Sequence, residues 1–598
     1  MSDTTAKRGI LANAFSKPGW DSRIKSANTT KKELWLGYII GPFGMLMGQS
    51  IVNSYFNQYL TDVIGFTVSK AAWIATFMVL FPIVSKLIDA VTNVVMGRII
   101  DSTVCRQGKV RPWMLISIPF VVVSIMLMFW IPVAGTLAQA IWVVVSYNLY
   151  YSVSYTLWNM SKELSAALST SNVNQRKNNA MGLTIVANVG TGFVSILFPT
   201  ILTKICAAVN GDNATGYFIA MSVFALIAVP LTFVQYFYTR ERVTEERRGQ
   251  AAGMQEKSQA VTLNKPEVGL WTQFKTCVQN KYWILFMVIM LVFYIFSNMR
   301  NISLVYYSGW VVNGNAYGTY ATIQAKFQMI AFSPMGPGII LLLPLVKKWG
   351  RRRCCWVGAT LTIVGSALAF GYAGSSMMIY MGTALSAIGA LFFSYTLPSY
   401  LGDIIDHVEW KTGVRCDGIS GSFCSAVMMV AVGISQGIFN LGLMITGYTQ
   451  PEVIGTSADG ITLYADQTAA ATGWINFAYQ GTYIALGALV FIIFLFFFDI
   501  EKHMPTVTKE LQERRIAEYA AMGLEYIPAE ELERREIAEQ EAKAEEIRIK
   551  ELHELCDKKG LDFEAENQKV LDKRAKAAAK KAAKAEKAAA KAEKKNKK

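Results

Sequence analysis

Charge is scarce in this chain. Of 598 residues, 17% are Asp, Glu, Lys or Arg while 53% are hydrophobic, and the mean hydropathy is +0.30. Those proportions exclude a water-soluble globular enzyme or scaffold of this length. Histidine occurs three times, and the eight cysteines have no metal-ligand spacing. No metal site, cofactor or disulfide is expected, and the thiols read as free. A nucleophile–base pair and a Gly-rich phosphate loop are also missing, so the chain does not read as an enzyme. The net charge of +15 points first to nucleic acid. The cations, however, sit in short loops and in a Lys/Ala tail, so no nucleic-acid partner is expected.

Long apolar runs are what the chain does have. Roughly 20 apolar residues span a bilayer, and twelve segments qualify, near 34–60, 71–100, 113–131, 139–165, 179–203, 217–238, 281–310, 320–346, 353–374, 376–402, 416–448 and 470–498. The chain therefore reads as an all-α membrane protein. Its expected divisions are a polar arm (1–33), six helices (34–238), a hydrophilic loop (239–280), six helices (281–498) and a charged tail (499–598). Six plus six suggests two similar halves. The arm is polar and the first apolar segment is long enough to span, so no cleavable signal is expected. Lys and Arg crowd the arm and the even-to-odd loops, whereas the opposite loops hold only Lys70 and Lys204. By the positive-inside rule, both termini of this multi-pass cell-membrane protein are cytoplasmic.

Polar residues inside the spans are the candidate site. Lys86, Asp89 and Asn93 share one face of the second segment, and an ionisable group at mid-membrane is a functional candidate by default. The rival reading makes Lys86–Asp89 a packing pair. In the fourth segment Tyr155, Asn159 and Lys162 line one face, where aromatic and amide groups suit a polar ligand. There Lys162 and Glu163 also read as a solvated pair at the membrane mouth. Arg300 lies inside the seventh segment and calls for a carboxylate or an anionic substrate. The cations Lys86, Lys162, Arg300 and Lys326 outnumber Asp89 and Glu163, which favours an acidic sugar as cargo.

The turns after the second and eighth segments echo one another. Gly97-Arg98…Asp101…Gly108-Lys109-Val110-Arg111 matches Lys347-Lys348-Trp349-Gly350-Arg351-Arg352-Arg353. Gly permits the tight turn, and the basic side chains bind helix-end carbonyls, carboxylates of the other half, or anionic lipid. Between the tenth and eleventh segments Asp403, Asp406 and Glu409 recur along one helix side, followed by Lys411, Arg415 and Asp417.

Three stretches carry a resemblance. They are Asp89…Asn93…Gly97…Asp101…Gly108-Lys-Val-Arg-Pro-Trp113, Gly402-Asp-Ile-Ile-Asp406-His-Val-Glu-Trp-Lys411-Thr-Gly-Val-Arg415-Cys-Asp-Gly418, and Tyr59-Leu-Thr61-Asp62-Val-Ile-Gly65. Over roughly residues 34–500 the chain resembles the glycoside-pentoside-hexuronide:cation symporter family, the melibiose permease-like branch of the major facilitator superfamily. The resemblance implies a major facilitator fold of 12 transmembrane helices in two six-helix bundles. It implies sugar transport driven by H⁺, Na⁺ or Li⁺; import with H⁺ or Na⁺ by alternating access, as a monomer, is expected. It also implies cation coupling at Asp89 and Asn93 and a gate of Gly97, Asp101, Arg111, Asp403, Asp406, Lys411 and Arg415, while the substrate contacts, Lys86, Tyr155, Asn159, Lys162 and Arg300, are read from the residues themselves. The family's usual second carboxylate on this helix falls on Asn93, which weakens a two-carboxylate sodium cage. Its galactoside contacts fall on Leu46, Asn159, Thr184 and Met429, so galactoside recognition is not expected. The alternatives are a lysolipid or other amphiphile transporter of the same fold, or a non-transporting membrane sensor. In the tail, 506–555 reads as helical, and 570–598, almost all Lys and Ala, as solvated.

Overall fold

The structure is a computed structural model. It describes residues 14–579, apart from 16, 27, 68–69, 104, 133–134, 171, 246–268, 335–337, 339–341, 343, 347, 372–375, 459–460, 522, 524–528, 573 and 577–578. Residues 580–598, most of the Lys/Ala run, lie outside the described residues, as does most of the central loop.

The apolar runs fold as helices because, in hydrocarbon, a helix satisfies every backbone N–H and C=O internally. The first half contains α1 (Lys31–Val63), α2 (Ala72–Asp101) and α3 (Arg111–Phe129). Next come α4 (Thr136–Asn148, Leu149–Tyr155 and Thr156–Leu168), α5 (Val173–Ile185, Val186–Gly190 and Thr191–Ala208) and α6 (Asn213–Phe237). A short α7 (Leu270–Val278) leads into the second half. That half contains α8 (Lys281–Val312), α9 (Tyr320–Phe332), α10 (Arg351–Gly371), α11 (Ser376–Thr412), α12 (Asp417–Ile445) and α13 (Ala469–Phe497). Nine of these helices are long and apolar enough to cross a membrane unaided, among the described residues. With α4, α5 and α9 they make the twelve spans of a major facilitator fold in two six-helix bundles. Polar side chains cap several starts: Asp212 accepts from the N–H groups of Ala214 and Thr215, and Asn280 from Tyr282.

The start of α1 and the end of α13 share one end of the bundle, here the terminal face; the opposite end is the far face. Between the halves α2 runs along α12, and α5 along α9. The approach of α2 to α12 depends on glycine. A Cβ on Gly433 would stand 2.8 Å from the Pro82 carbonyl oxygen, and one on Gly437 2.8 Å from that of Val79. Small residues let two backbones meet this closely. A small antiparallel hairpin, β1 (Val453–Thr456) with β2 (Thr462–Tyr464), joins α12 to α13 at the far face.

The tail is helical, in α14 (Ile500–Ala521) and α15 (Ala529–Lys559). Its first helix is not simply solvated. Trp410 donates to Glu510 at 2.7 Å, Arg515 pairs with Glu409 at 3.1 Å, and Tyr400 donates to Glu501 at 2.9 Å. Tail charges thus meet complementary groups on α11.

Candidate functional site

Between the halves lies a cavity of about 210 Å³, lined from α1 by Gln49, Asn53 and Asn57, from α4 by Tyr147 and Tyr151, and from the second half by Asn298, Asn301, Gln328 and Gln436. None of its lining residues is charged. Side-chain hydrogen bonds preorganise the wall. Tyr150 donates to Gln49 at 3.0 Å, Tyr151 to Asn53 at 2.6 Å, and Gln436 to Asn57 at 3.3 Å. A carboxamide both donates and accepts, so this lining matches a ligand rich in hydroxyls. Sequence reading overlooked the α1 stripe, although Gln49, Asn53 and Asn57 recur every four residues in an apolar span and so share a face.

Asp89 and Lys86 lie one ring behind this wall. Their ion pair is 2.7 Å, and both residues are buried between α2 and α4. Ser152 donates to the other carboxylate oxygen. The Lys86 ammonium lies 3.6 Å from the centre of the Tyr151 ring, which itself faces the cavity. Asn93, half-buried one turn on, donates to Met429 Sδ of α12 at 3.3 Å, across the interface between the halves.

The expected substrate set is not gathered on the cavity. None of Lys86, Tyr155, Asn159, Lys162 and Arg300 lines it. On α4 the cause is the wide turn Leu149–Tyr155. One extra residue per turn rotates everything that follows by about 100°, so the face of Tyr155, Asn159 and Lys162 no longer continues that of Tyr147 and Tyr151. Tyr155 packs on Tyr150, Tyr151 and Trp158, and Asn159 is half-buried beyond it. Lys162 pairs with Glu163 at 2.8 Å and lines a separate cavity between α4 and α5, the paired arrangement weighed from sequence. Arg300 points into its own half. It donates to Ser386 at 3.1 Å, lies over the Tyr479 and Tyr483 rings, and its Nη1 is buried without a hydrogen-bond partner. No Asp or Glu occurs between Lys281 and Gly402, so its own helices supply no nearby counter-charge.

The expected gate residues also pair within their own halves. Arg111 is buried against α6, donating to the Tyr236 carbonyl at 3.0 Å and to Gln107, with its guanidinium over the Tyr236 ring. The backbone N–H groups of Lys109, Val110 and Arg111 all donate to Glu241 at 2.9 Å. Gly108, at φ 118°, leaves no room for a Cβ beside that carboxylate. Gly97 packs beside Met160 of α4, and Asp101 ends α2 with a side chain outside the described residues. In the second half Asp403 pairs with Arg351, while Arg415 gathers Asp406 (2.9 Å), Glu409 (2.7 Å) and Asp417 (2.6 Å). Lys411 is exposed. Among the described residues no ion pair at the terminal face bridges the halves, contrary to the cross-half latch expected from sequence. Asp403, Asp406, Glu409 and Asp417 each have an arginine on their own or the adjoining helix.

Hydrogen bonds do bridge the halves toward the far face. Asn57 and Thr61 bond Tyr306, Gln58 bonds Tyr317, and Asp62 accepts from Tyr317 and Tyr448. Asn440 donates to the Met78 carbonyl. Asp62 was visible from sequence only as part of a motif.

A family model described as MFS/sugar transport protein matches residues 37–502. The isoprimeverose transporter of Lactiplantibacillus pentosus is 26% identical over 495 residues, 81% of this chain and 92% of that protein. A putative sulfoquinovose importer of Escherichia coli (strain K12) is 24% identical over 394 residues, 64% and 75% of the two chains. The solved structure of a bacterial homologue of the human drug peptide transporters PepT1 and PepT2 superposes with a TM-score of 0.50 at 14% identity, covering 80% of this chain and 99% of that one. That likeness concerns the fold alone.

Proposed function

The chain belongs to the MFS/sugar transport protein family, and from that premise we propose that it imports a sugar or glycoside by symport with H⁺ or Na⁺. It is a transporter rather than an enzyme. The observation that carries the cargo reading is the uncharged wall of carboxamides and tyrosines around the central cavity. Such a wall supports a neutral sugar over the acidic one that the count of cations favoured. The relative named as an isoprimeverose transporter supports the same class. A second reading, an acidic sugar, rests on Arg300, whose buried charge has no carboxylate in its own helices. An amphiphile cargo draws no support from the amide lining, nor a sensor from a tail of charged helices.

The proposed coupling site is Asp89, with Asn93 one turn away. In the ion pair the Lys86 ammonium occupies the place of a transported cation, and a cation reaches the carboxylate by displacing it. With a single carboxylate there, H⁺ is favoured over Na⁺. The halves 34–238 and 281–498 rock about the cavity, joined by the loop 239–280. The terminal face is assigned to the cytoplasm of the cell membrane by the basic residues crowding it. The protein acts as a monomer, and the gate motifs brace each half as it moves.

Tracer flux in proteoliposomes tests the reading. Accumulation is expected only with an H⁺ or Na⁺ gradient, with competition by neutral glycosides. Flux indifferent to both gradients overturns symport, and competition by uronides alone reverses the cargo class. Asp89→Asn is expected to abolish accumulation and spare exchange.

A further inference from the structure

We propose that Asp62 is a proton-binding site, separate from Asp89, and that its charge state sets the far gate. The inference deepens the H⁺-coupled reading above and rests on it for its role in transport.

The carboxylate is the meeting point of three hydrogen-bond chains, and their heads fix their direction. An amide or indole N–H donates only, so each tyrosine oxygen that accepts one is left with its own O–H to pass on. Asn57 donates to Tyr306 (3.0 Å), Tyr306 to Thr61 (2.7 Å), and Thr61 to Asp62 (2.7 Å). Gln58 donates to Tyr317 (2.7 Å), and Tyr317 to the other carboxylate oxygen. Trp310 donates to Tyr448 (3.1 Å), and Tyr448 to Asp62 (2.8 Å). Every donor points at the carboxylate, which is the arrangement of an ionised acid. Tyr306, Tyr317 and Tyr448 belong to the second half and Asp62 to the first, so these bonds exist only while the far face is closed.

Among the described residues no cation shares this work. The tyrosines facing Asp62 from α8, the α8–α9 connection and the α12–β1 connection are neutral, as are Tyr217 on α6 and Tyr320 on α9. Lys70 is turned to the Ile64 carbonyl and Gln139. Asp212 caps α6. Asp62 therefore differs from Asp89, which has an ammonium at 2.7 Å.

Protons can reach it from the far-face solution. Asp62 is half-buried and lines a far-face vestibule of about 440 Å³, together with Gln58, Tyr317 and Cys206. The chain through Thr61 and Tyr306 ends at Asn57, on the wall of the central cavity. When a proton from the far-face solution binds one carboxylate oxygen, that oxygen becomes a donor facing a donor. At least one of the three chains must then break or reverse. Ionised Asp62 thus locks the far gate, and protonated Asp62 loosens it.

The test uses purified full-length protein, read in two ways. Infrared difference spectra across a pH titration report the carbonyl band of a protonated carboxyl group. The rate of labelling of Cys206 by a membrane-impermeant maleimide, corrected at each pH for the thiolate fraction, reports far-face opening. The wild type is expected to show a titrating band, with labelling that quickens as pH falls. Asp62→Asn is expected to lose that band and to label fast at every pH, because an amide imitates the protonated acid. Asp89→Asn should keep the band. Should Asp62→Asn fail to fold, Tyr448→Phe, which removes one donor, is expected to raise the band's midpoint by about one pH unit. A band and a pH-dependent labelling unchanged in Asp62→Asn, or an unmoved midpoint in Tyr448→Phe, overturns the proposal. Wild-type protein that shows the band but moves no proton with sugar overturns H⁺ symport and leaves the Asp62 site standing.

Discussion

The two ends of the bundle are held by different chemistry. At the far face, hydroxyls and amides cross from one half to the other around Asp62 and along the glycine-lined approach of α2 to α12. At the terminal face, charges are abundant, yet Arg111, Arg242, Arg351 and Arg415 each pair inside a single half. Hydrogen bonds between neutral groups trade readily with water, and those to Asp62 become neutral once it takes a proton, so this seal opens at modest cost when Asp62 is protonated. Buried ion pairs do not trade readily, because removing one partner strands a charge. Bonds across the halves therefore serve the moving joint, and bonds within a half serve the bodies that move.

If that division is right, the two ends must fail differently. The largest effect is expected at Arg242, which grips Glu33 through both nitrogens at 3.0 and 2.8 Å while Glu33 is 0% exposed. Arg242→Met is expected to cost about 3–5 kcal/mol of stability, visible as a lowered thermal midpoint in detergent. A loss of transport with an unchanged midpoint would place Arg242 in the gate instead. Next comes Gly437→Leu, whose side chain meets the Val79 backbone. It is expected to disfavour far-face closure by about 1–3 kcal/mol, read as faster Cys206 labelling with little change in unfolding. A smaller effect is expected of Arg415→Gln, whose own side chain is 43% exposed: under about 1 kcal/mol by thermal unfolding, with far-face labelling unaltered. The smallest concerns Asp21, whose carboxyl is held below the usual carboxylate range by the hydrogen bond from Gln107 and by Arg106. A carboxyl depressed by folding adds stability above its ordinary pKa and loses it as pH falls through the folded value. The arm around Trp20 is therefore expected to loosen below about pH 4, seen as faster hydrogen exchange there and not at the far face.

Much of the architecture was legible because hydrocarbon length and loop charge are one-dimensional signals. Twelve apolar runs become twelve spans, and the pairing of Lys86 with Asp89 follows from i, i+3 spacing. The cavity wall was less legible. The wide turn at Leu149–Tyr155 shifts the helical phase, and periodicity carries no mark of it, so Tyr155, Asn159 and Lys162 were expected on a wall they do not reach. The α1 stripe Gln49–Asn53–Asn57 is legible in its four-residue spacing, although an uncharged amide inside a span is a weaker functional signal than a charge. Partners of Asp403 and Asp406 across the interface were one expectation, because like motifs in both halves suggest complementarity, while for Arg111 the alternative of a helix-end carbonyl is the one the structure shows, at Tyr236. Their real partners are set by which arginine the local fold brings nearer, a tertiary matter.

The docking of α14 has a mechanical consequence. Glu510 and Arg515 clasp Trp410 and Glu409, one turn before the bend that leads into α12. Glu501 holds Arg351 at 3.3 Å, at the start of α10. A pull, a bound partner or a covalent mark on the tail is thereby transmitted like a hand on a lever arm to the helices that must tilt during each transport cycle.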